Sequence, residues 1–145
     1  MQNRNAKVIA LFIADTQSNS IGKAVITCDP QGIREDKHYG KDPARSVLVT
    51  STYAYQLASD QGIGIPHGAL GENILTDFDL KTVGPGERLQ LGEVVLEIVQ
   101  NCTLCNHLSK IDRKLPKLLR DDRGVFAKVV QGGTLHNGDA VSLKV

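Results

Sequence analysis

Short apolar runs, most of them rich in β-branched residues, alternate with turn signals along the whole chain. Such runs predict β-strands, because β-branched side chains pack well on a pleated surface. The predicted strands are Lys7 to Ala14, Ala24 to Cys28, Ser46 to Ser51, Arg88 to Leu91, Val94 to Val99, Val125 to Val130 and Ala140 to Val145. Around Gly92 the alternation stops and resumes, which is typical of two antiparallel strands joined by a tight connection. The pattern therefore predicts a mostly β protein.

Two segments have a helical spacing instead. Apolar residues recur one turn apart in Thr52 to Ser59, and Ser109 to Arg120 shows a helical pattern that Pro116 interrupts. The glycines between positions 132 and 139 favour a loop that leads into the last strand. Closely spaced strands with few, short helices favour a closed β-barrel whose openings the helices cover. No repeat or linker divides the chain, so we expect a single domain over residues 1–145.

The composition is that of a globular domain, with 145 residues, 41% of them hydrophobic, and a formal net charge of +1. The apolar run Val8 to Ala14 is too short to span a membrane and lacks the cleavage site of a signal peptide. Scattered charges and few aromatic residues give no sign of the face that nucleic-acid binding needs. We therefore expect a cytoplasmic protein that binds neither membranes nor nucleic acid.

The chain has three cysteines, and their odd number argues against a disulfide framework. Cys28 lies within an apolar run and is expected to be a buried small hydrophobe. Cys105 instead closes the strand-like run that begins at Val94, beside polar loops. A thiolate in such a position is both a nucleophile and a soft metal ligand. Cys105 is therefore the candidate for chemistry.

The pair Cys102 and Cys105 has the spacing of half a zinc site, which needs two further ligands. No second Cys-x-x-Cys or His-x-x-x-His supplies them. A thioredoxin-like motif would open a helix after a strand in a βαβ unit, and the pattern here is not of that kind. A regulatory disulfide that blocks Cys105 remains an alternative.

A set of polar and glycine-rich segments follows in a characteristic order along the chain. These are Gly32 to Gly40, Arg45, His67 to Ile74, Gly86 to Gly92, Cys105, the pair Gly132 and Gly133, and the pair Gly138 and Asp139. In this order the chain resembles the MOSC domain, named for the C-terminal domain of molybdenum cofactor sulfurases. The resemblance implies a closed β-barrel with small helices. Two positions depart from the family pattern, because Leu104 replaces a proline and Glu35 replaces a glycine.

The resemblance also implies a site for a molybdenum–pterin cofactor (Mo-molybdopterin), with Cys105 as metal ligand and catalytic residue. The other residues that it implies for cofactor binding are Asp36, Lys37, His38, Arg45, Gly71, Glu72 and Asn73. Lys37, His38 and Arg45 are expected to face the phosphate of the cofactor. Asp36 either orients the imidazole of His38 or closes a turn on backbone amides. Glu72 and Asn73 either lie near the metal or form a tight turn.

Three functions follow from this resemblance. The first is the reductive removal of oxygen from N-hydroxylated compounds, with electrons from a separate electron-donor protein. The second is a sulfur carrier that holds a persulfide on Cys105 and needs a cysteine desulfurase as its partner. The third is a non-catalytic binding module. The charged run Lys110 to Arg123 fits either a solvated helix or a docking face for the electron donor.

Overall fold

The structure is a computed structural model and describes residues 5–102, 106–120, 122 and 124–144. Its strands are β1 (Val8–Ala14), β2 (Ser20–Lys23), β3 (Val25–Asp29), β4 (Gly32–Ile33), β5 (Val47–Ser51), β6 (Ile74–Thr76), β7 (Arg88–Leu91), β8 (Val94–Asn101), β9 (Val125–Gln131), β10 (Gly133–His136) and β11 (Val141–Lys144). Its α-helices are α1 (Thr52–Asp60), α2 (Asn106–Ile111) and α3 (Leu115–Leu118), and Pro43–Arg45 and Leu80–Thr82 form 3-10 turns. The prediction of a mostly β protein with a few short helices is confirmed.

The described strands form two sheets. The larger has the order β11-β7-β8-β9-β5-β6-β1-β2, and the smaller has the order β10-β3-β4. Neighbouring strands are antiparallel except β5 and β6, which run parallel because α1 crosses over between them. None of the described helices has the length and apolar character needed to cross a membrane.

The prediction of a closed β-barrel is not supported, because no sheet among the described strands closes on itself. Closure of the large sheet would need a ladder between its edge strands, β11 and β2. Instead, the described residues form one isolated bridge, between Lys7 just before β1 and Ala140 just before β11. β11 pairs along its whole length with β7, and β1 pairs with β6 and β2. The strands wrap around the core, but their hydrogen bonds leave two edges.

The core lies between the two sheets and beneath the helices. Inward-facing residues of both sheets, such as Leu89, Leu96 and Leu135, are fully buried there. A second apolar cluster joins α1, α3 and the outer face of β6, where Ala58 and Leu75 are also fully buried. Small side chains on the inner face of α1 let the helix lie close to the sheet. This packing fixes α1 against the loop that precedes β6.

Some local sequence predictions were wrong. Residues Gly133–His136, predicted as part of a loop, form β10 because β3 supplies the partner strand. The helical pattern assigned to Ser109 to Arg120 is two helices separated by a turn, and α2 begins at Asn106. Pro116 lies in the first turn of α3. It therefore starts a helix there instead of interrupting one, since its missing N–H has no intrahelical partner to lose.

The turn after β4 holds Glu35 in the left-handed backbone region, with φ of +74°. This conformation costs a residue that carries a Cβ roughly 1–2 kcal/mol, whereas glycine adopts it readily. The Glu35 side chain is 71% exposed, and its contact with Lys23 is 3.9 Å long. Its own interactions therefore do little to offset the strain. Glu35 therefore occupies a turn position that favours glycine.

Replacing Glu35 by glycine should raise the free energy of unfolding by about 0.5–1 kcal/mol, because the relief of strain exceeds the extra entropy of the unfolded chain. The matched control is Glu35→Ala, which removes the same side chain but keeps the Cβ. Urea unfolding of both variants is the measurement. Equal stability of the two variants would contradict a strained turn.

Candidate active site

One cavity of about 210 Å³, here called the site cavity, lies where four separate segments of the chain meet. They are the end of β1 with the turn that follows it, the segment between β4 and β5, the loop before β6, and the start of β9. Six residues that the sequence implicates in cofactor binding line it: Asp36, His38, Arg45, Gly71, Glu72 and Asn73. Residues far apart in the sequence are thus brought to one surface.

Asp36 is a buried hydrogen-bond acceptor in the cavity wall, and its side chain is 1% exposed. Its Oδ1 accepts hydrogen bonds from the Ala14 amide at 2.7 Å and from Asn73 Nδ2 at 3.2 Å. Its Oδ2 accepts a hydrogen bond from the His38 amide at 2.9 Å and lies 3.0 Å from His38 Nδ1. Asp36 therefore orients the imidazole and closes the turn at the same time, so its two sequence interpretations are not exclusive.

Asn73 joins β1 to β5 through its backbone and its side chain. Its backbone amide donates to the Leu48 carbonyl at 2.8 Å, and its Oδ1 accepts from the Leu48 amide at 3.0 Å. The Phe12 amide donates to its carbonyl oxygen at 2.8 Å, and Asn73 Nδ2 donates to the Phe12 carbonyl at 3.3 Å. The side chain thus completes hydrogen bonds that the strands leave open just before β6.

Glu72 is 1% exposed and forms no ion pair with a described residue. Its Oε2 accepts a hydrogen bond from the Tyr55 hydroxyl at 2.6 Å and one from the Gly68 amide at 3.1 Å. Its Oε1 is also buried but has no hydrogen-bond partner among the described residues. A buried carboxylate oxygen without a donor is costly. Glu72 is therefore an unsatisfied acceptor in the wall of the site cavity.

Tyr55 of α1 holds the loop that carries Glu72. Its hydroxyl oxygen accepts hydrogen bonds from the Gly68 amide at 3.0 Å and from the Leu70 amide at 3.3 Å, while it donates to Glu72. Burial and the adjacent Glu72 carboxylate raise the pKa of Tyr55 above its ordinary value of 10.0. The hydroxyl therefore keeps the proton that it donates. His67 packs edge-on against the Tyr55 ring, with ring centroids 5.0 Å apart.

Gly68 lets this loop approach the turn after β1. Its φ is +92°, and a Cβ at this position would lie 2.9 Å from Ser20 Oγ and 3.0 Å from the Phe12 ring. Any larger residue would push these groups apart and fill part of the cavity wall. Gly71, at the other end of the loop, also has a positive φ of +85°. Both positions need glycine for a structural reason.

Basic side chains lie around the mouth of the cavity. The His38 side chain is 57% exposed and that of Arg45 is 51% exposed. Arg45 Nε donates to Asp42 Oδ2 at 3.0 Å, which fixes the guanidinium at the rim. Lys37 does not line the cavity. Its Nζ donates to the hydroxyl of Ser18, and Ser18 does line the cavity. Exposed basic side chains at the mouth and buried carboxylates in the wall give the cavity two distinct ends.

Cys105, the predicted metal ligand, lies outside the described residues. Tyr55 and Ser18 were missed by the sequence analysis. Tyr55 had no local signal, since its role depends on where α1 packs against a loop that begins 13 residues later. Ser18 lies in the turn between β1 and β2, and nothing in that turn indicates that a lysine 19 residues away will contact it.

The two described cysteines are both buried. Cys28 is 2% exposed, which confirms its predicted place in the core. Burial, followed by the nearby Asp29 charge, raises the pKa of the Cys28 thiol to about 12, so this thiol is inert at neutral pH. Cys102 is 8% exposed, and its amide donates to the Gly124 carbonyl at 2.9 Å. No group of three potential metal-ligating side chains comes together in the part of the chain that the structure describes.

Replacing Asp36 by asparagine should lower the free energy of unfolding by about 1–3 kcal/mol, because an amide nitrogen cannot accept the bonds that one carboxylate oxygen accepts. His38→Ala is the control, since it removes an exposed ring and leaves the backbone contacts of Asp36 in place. It should change stability by less than about 1 kcal/mol. Chemical denaturation at neutral pH measures both variants. A loss for D36N no larger than that for H38A would show that Asp36 does not organise the turn.

Tyr55 should make the protein less stable at alkaline pH. Its pKa is higher in the folded state than the ordinary value of 10.0, so the folded protein keeps a proton that the unfolded chain releases. The stabilisation that this raised pKa contributes is complete at pH values below the ordinary pKa of 10.0. It is lost as the pH rises through the folded-state pKa of Tyr55. Tyr55→Phe should therefore flatten the fall in unfolding free energy between pH about 9 and 11. Tyr53→Phe, in the same helix, is the matched control and should keep the parent slope.

Comparisons with solved structures agree with this architecture. The YUAD protein from Bacillus subtilis is similar with a TM-score of 0.82 and 21% identity, covering 94% of this chain and 93% of that one. YiiM from Geobacillus stearothermophilus has a TM-score of 0.76 and 15% identity, and the match covers 97% of this chain and 75% of that one. YiiM from Escherichia coli has a TM-score of 0.66 and 16% identity, and the match covers 94% of this chain and 69% of that one. At these identities the likeness shows the fold alone.

Comparison with protein families goes further. No curated protein matches the sequence. The family model described as the MOSC domain matches residues 34–142, which is more than half of the chain and includes every segment of the site cavity except those from β1 and β2. The chain therefore belongs to the MOSC domain family.

Proposed function

We propose that this protein binds a molybdenum–pterin cofactor in the site cavity, with the Cys105 thiolate as a metal ligand, and reduces N-hydroxylated compounds. The observation that carries the proposal is the two-ended cavity. Its wall contains the buried acceptor Glu72 and its mouth is lined by His38 and Arg45. A pterin with a phosphate has matching parts, since its ring offers N–H donors and its phosphate is an anion.

The inner end of the cavity fits the pterin ring. Glu72 Oε1 is buried and lacks a partner among the described residues, so an N–H group of the ring would satisfy it. Gly68, where a Cβ would collide with Ser20, allows a flat group to approach the backbone. The cavity volume of about 210 Å³ is below the roughly 300–1,000 Å³ of pockets that enclose drug-sized ligands. Part of the cofactor would therefore extend across the rim.

The rim fits the phosphate. Arg45 and His38 offer N–H donors, and Ser18 and Ser20 offer hydroxyls in the same part of the cavity lining. Lys37 adds a positive charge next to Ser18. Arginine and histidinium are strong donors to phosphate because their hydrogen bonds are charge-assisted. Asp36 holds the His38 ring, so that an incoming anion would meet an oriented donor.

The connectivity of the chain supports Cys105 as the thiolate ligand. Asn101, the last residue of β8, pairs with Val125 of β9, and the next residue of β9, Phe126, lines the site cavity. Cys102 follows directly and is hydrogen-bonded to Gly124. Three further residues span at most about 11 Å, and the proposal requires Cys105 to reach the cavity within that distance. Thiolate sulfur is a soft ligand that suits such a metal.

The proposed reaction consumes two electrons and two protons: R–NH–OH + 2e⁻ + 2H⁺ gives R–NH₂ + H₂O, and the N–O bond breaks. The bound metal would supply the site that accepts the oxygen and passes the electrons. The residues of the chain bind and orient the reactants. His38, held by Asp36 and exposed at the mouth, is positioned to exchange protons with solvent. The electrons come from a separate donor protein.

Elemental analysis and pterin fluorescence, on protein purified without chelator from a cofactor-producing host, test the proposal. We expect about one molybdenum and one pterin per chain. Cys105→Ser should lose most of the molybdenum, because a neutral hydroxyl is a poor substitute for a thiolate ligand. Cys102→Ser is the matched control and should retain the metal, since that thiol is buried beside β9.

Two results would contradict the proposal. Full molybdenum retention in C105S would remove Cys105 from the metal site. A parent protein with neither molybdenum nor pterin, but with a persulfide mass on Cys105, would favour the sulfur-carrier function instead. Urea unfolding of both cysteine variants would show whether a loss of metal reflects a loss of fold.

A further inference from the structure

Positive charge is concentrated in one short part of this chain. Residues 106–120 contain five basic residues and one acidic residue, whereas the other 130 residues contain 12 basic and 15 acidic ones. The formal net charge of +1 for the whole chain hides this separation. The segment that carries it consists of α2, α3 and the turn between them. It begins immediately after Cys105.

The helices use their apolar residues to pack on the rest of the molecule. Leu108, Leu115 and Leu119 are buried in the cluster that α1 and β6 also join. All five basic residues of the same segment are exposed, and four of them lie on or between its two helices: Lys110, Arg113, Lys114 and Lys117. These four residues are called the basic face. Because the leucines fix the helices, the basic face is a defined surface of the folded protein.

The four charges of the basic face are not compensated within the described structure. None of them forms an ion pair with a described carboxylate, whereas Arg34, Arg88 and Lys128 each pair with one within 3.4 Å. Lys114 and Lys117 also lie within a single helical turn, where like charges are destabilising. An acidic partner would turn this repulsion into attraction.

We propose that the basic face docks the acidic electron-donor protein that the reductase reaction requires; this rests on the proposed function. The face is carried by a helix pair that starts one residue after Cys105, and Lys110 is only about 6 Å further along the α2 axis. A donor bound there would lie on the helix pair that directly follows the proposed metal ligand in the sequence. The donor class is a small flavin or iron–sulfur protein whose cofactor is ringed by carboxylates. It supplies the two electrons per N–O bond, and the protons come from water.

The charge distribution favours a compact acidic protein over nucleic acid. A nucleic acid extends beyond any patch of four charges and would meet the net negative remainder of the chain. Residues 106–120 also contain no Phe, Tyr or Trp on which bases stack. A protein partner with a local acidic surface matches the size of the basic face.

Binding of an acidic flavodoxin, used as the probe, tests this proposal by calorimetry at about 50 mM and 300 mM salt. The test variant is K114E/K117E. The matched control is K7E/K144E, which changes the net charge equally at two exposed lysines whose side chains form no ion pair with a described carboxylate. We expect the test variant to bind at least about tenfold more weakly at low salt, the control to stay within about twofold of the parent, and high salt to remove the difference.

Three outcomes would overturn the proposal: no flavodoxin binding to the parent protein, equal losses in both variants, or a 20-base-pair DNA duplex that binds the parent more tightly than flavodoxin does and is released by K114E/K117E. Urea unfolding shows whether the test variant is folded. Molybdenum content, measured on the same samples, is independent of docking. Absent molybdenum would defeat the proposed function, whereas normal molybdenum with equal flavodoxin binding in both variants would defeat only the docking face.

Discussion

The hydrogen bond from Asn73 Nδ2 to the buried carboxylate of Asp36 is the contact on which the site depends. Through Asn73 it reaches Phe12 of β1 and Leu48 of β5, and through Asp36 it reaches Ala14 and the turn that carries His38. Three segments that are distant in sequence are thereby held in one position. Each bond contributes roughly 1 kcal/mol, but losing a partner in this buried network costs more, because the remaining groups cannot reach water.

The two buried carboxylates of the site are satisfied to different degrees. Asp36 receives donors on both oxygens, so its burial is compatible with a stable fold. Glu72 receives donors on Oε2 alone, and its Oε1 is buried without a described partner. A fold selected for stability alone would not keep such a group. The contrast separates a carboxylate whose two oxygens both accept hydrogen bonds from one whose Oε1 has no described donor.

Local patterns predicted the long strands, because residues such as Leu89 and Leu91 alternate with polar neighbours and face the core. They did not predict β10, whose residues Gly133–His136 become a strand only by pairing with β3. They also did not predict β2, in which three of the four residues are exposed. The prediction of a closed barrel is not supported for a similar reason, since closure depends on ladders between distant strands. Such pairings are properties of the whole fold.

The family resemblance supplied candidate site residues that no local pattern would have grouped, and the structure brings Asp36, Glu72 and Asn73 to one cavity. Tyr55 could not be predicted, because its hydroxyl reaches Glu72 only after α1 has packed against the sheet. The central claim is that this cavity holds the metal and its pterin. Anomalous X-ray diffraction at the molybdenum edge, on crystals of cofactor-loaded protein, tests it most directly. The account predicts one strong peak at the mouth of the cavity within bonding distance of Cys105 Sγ, and a peak elsewhere, or one without a thiolate ligand, would contradict it.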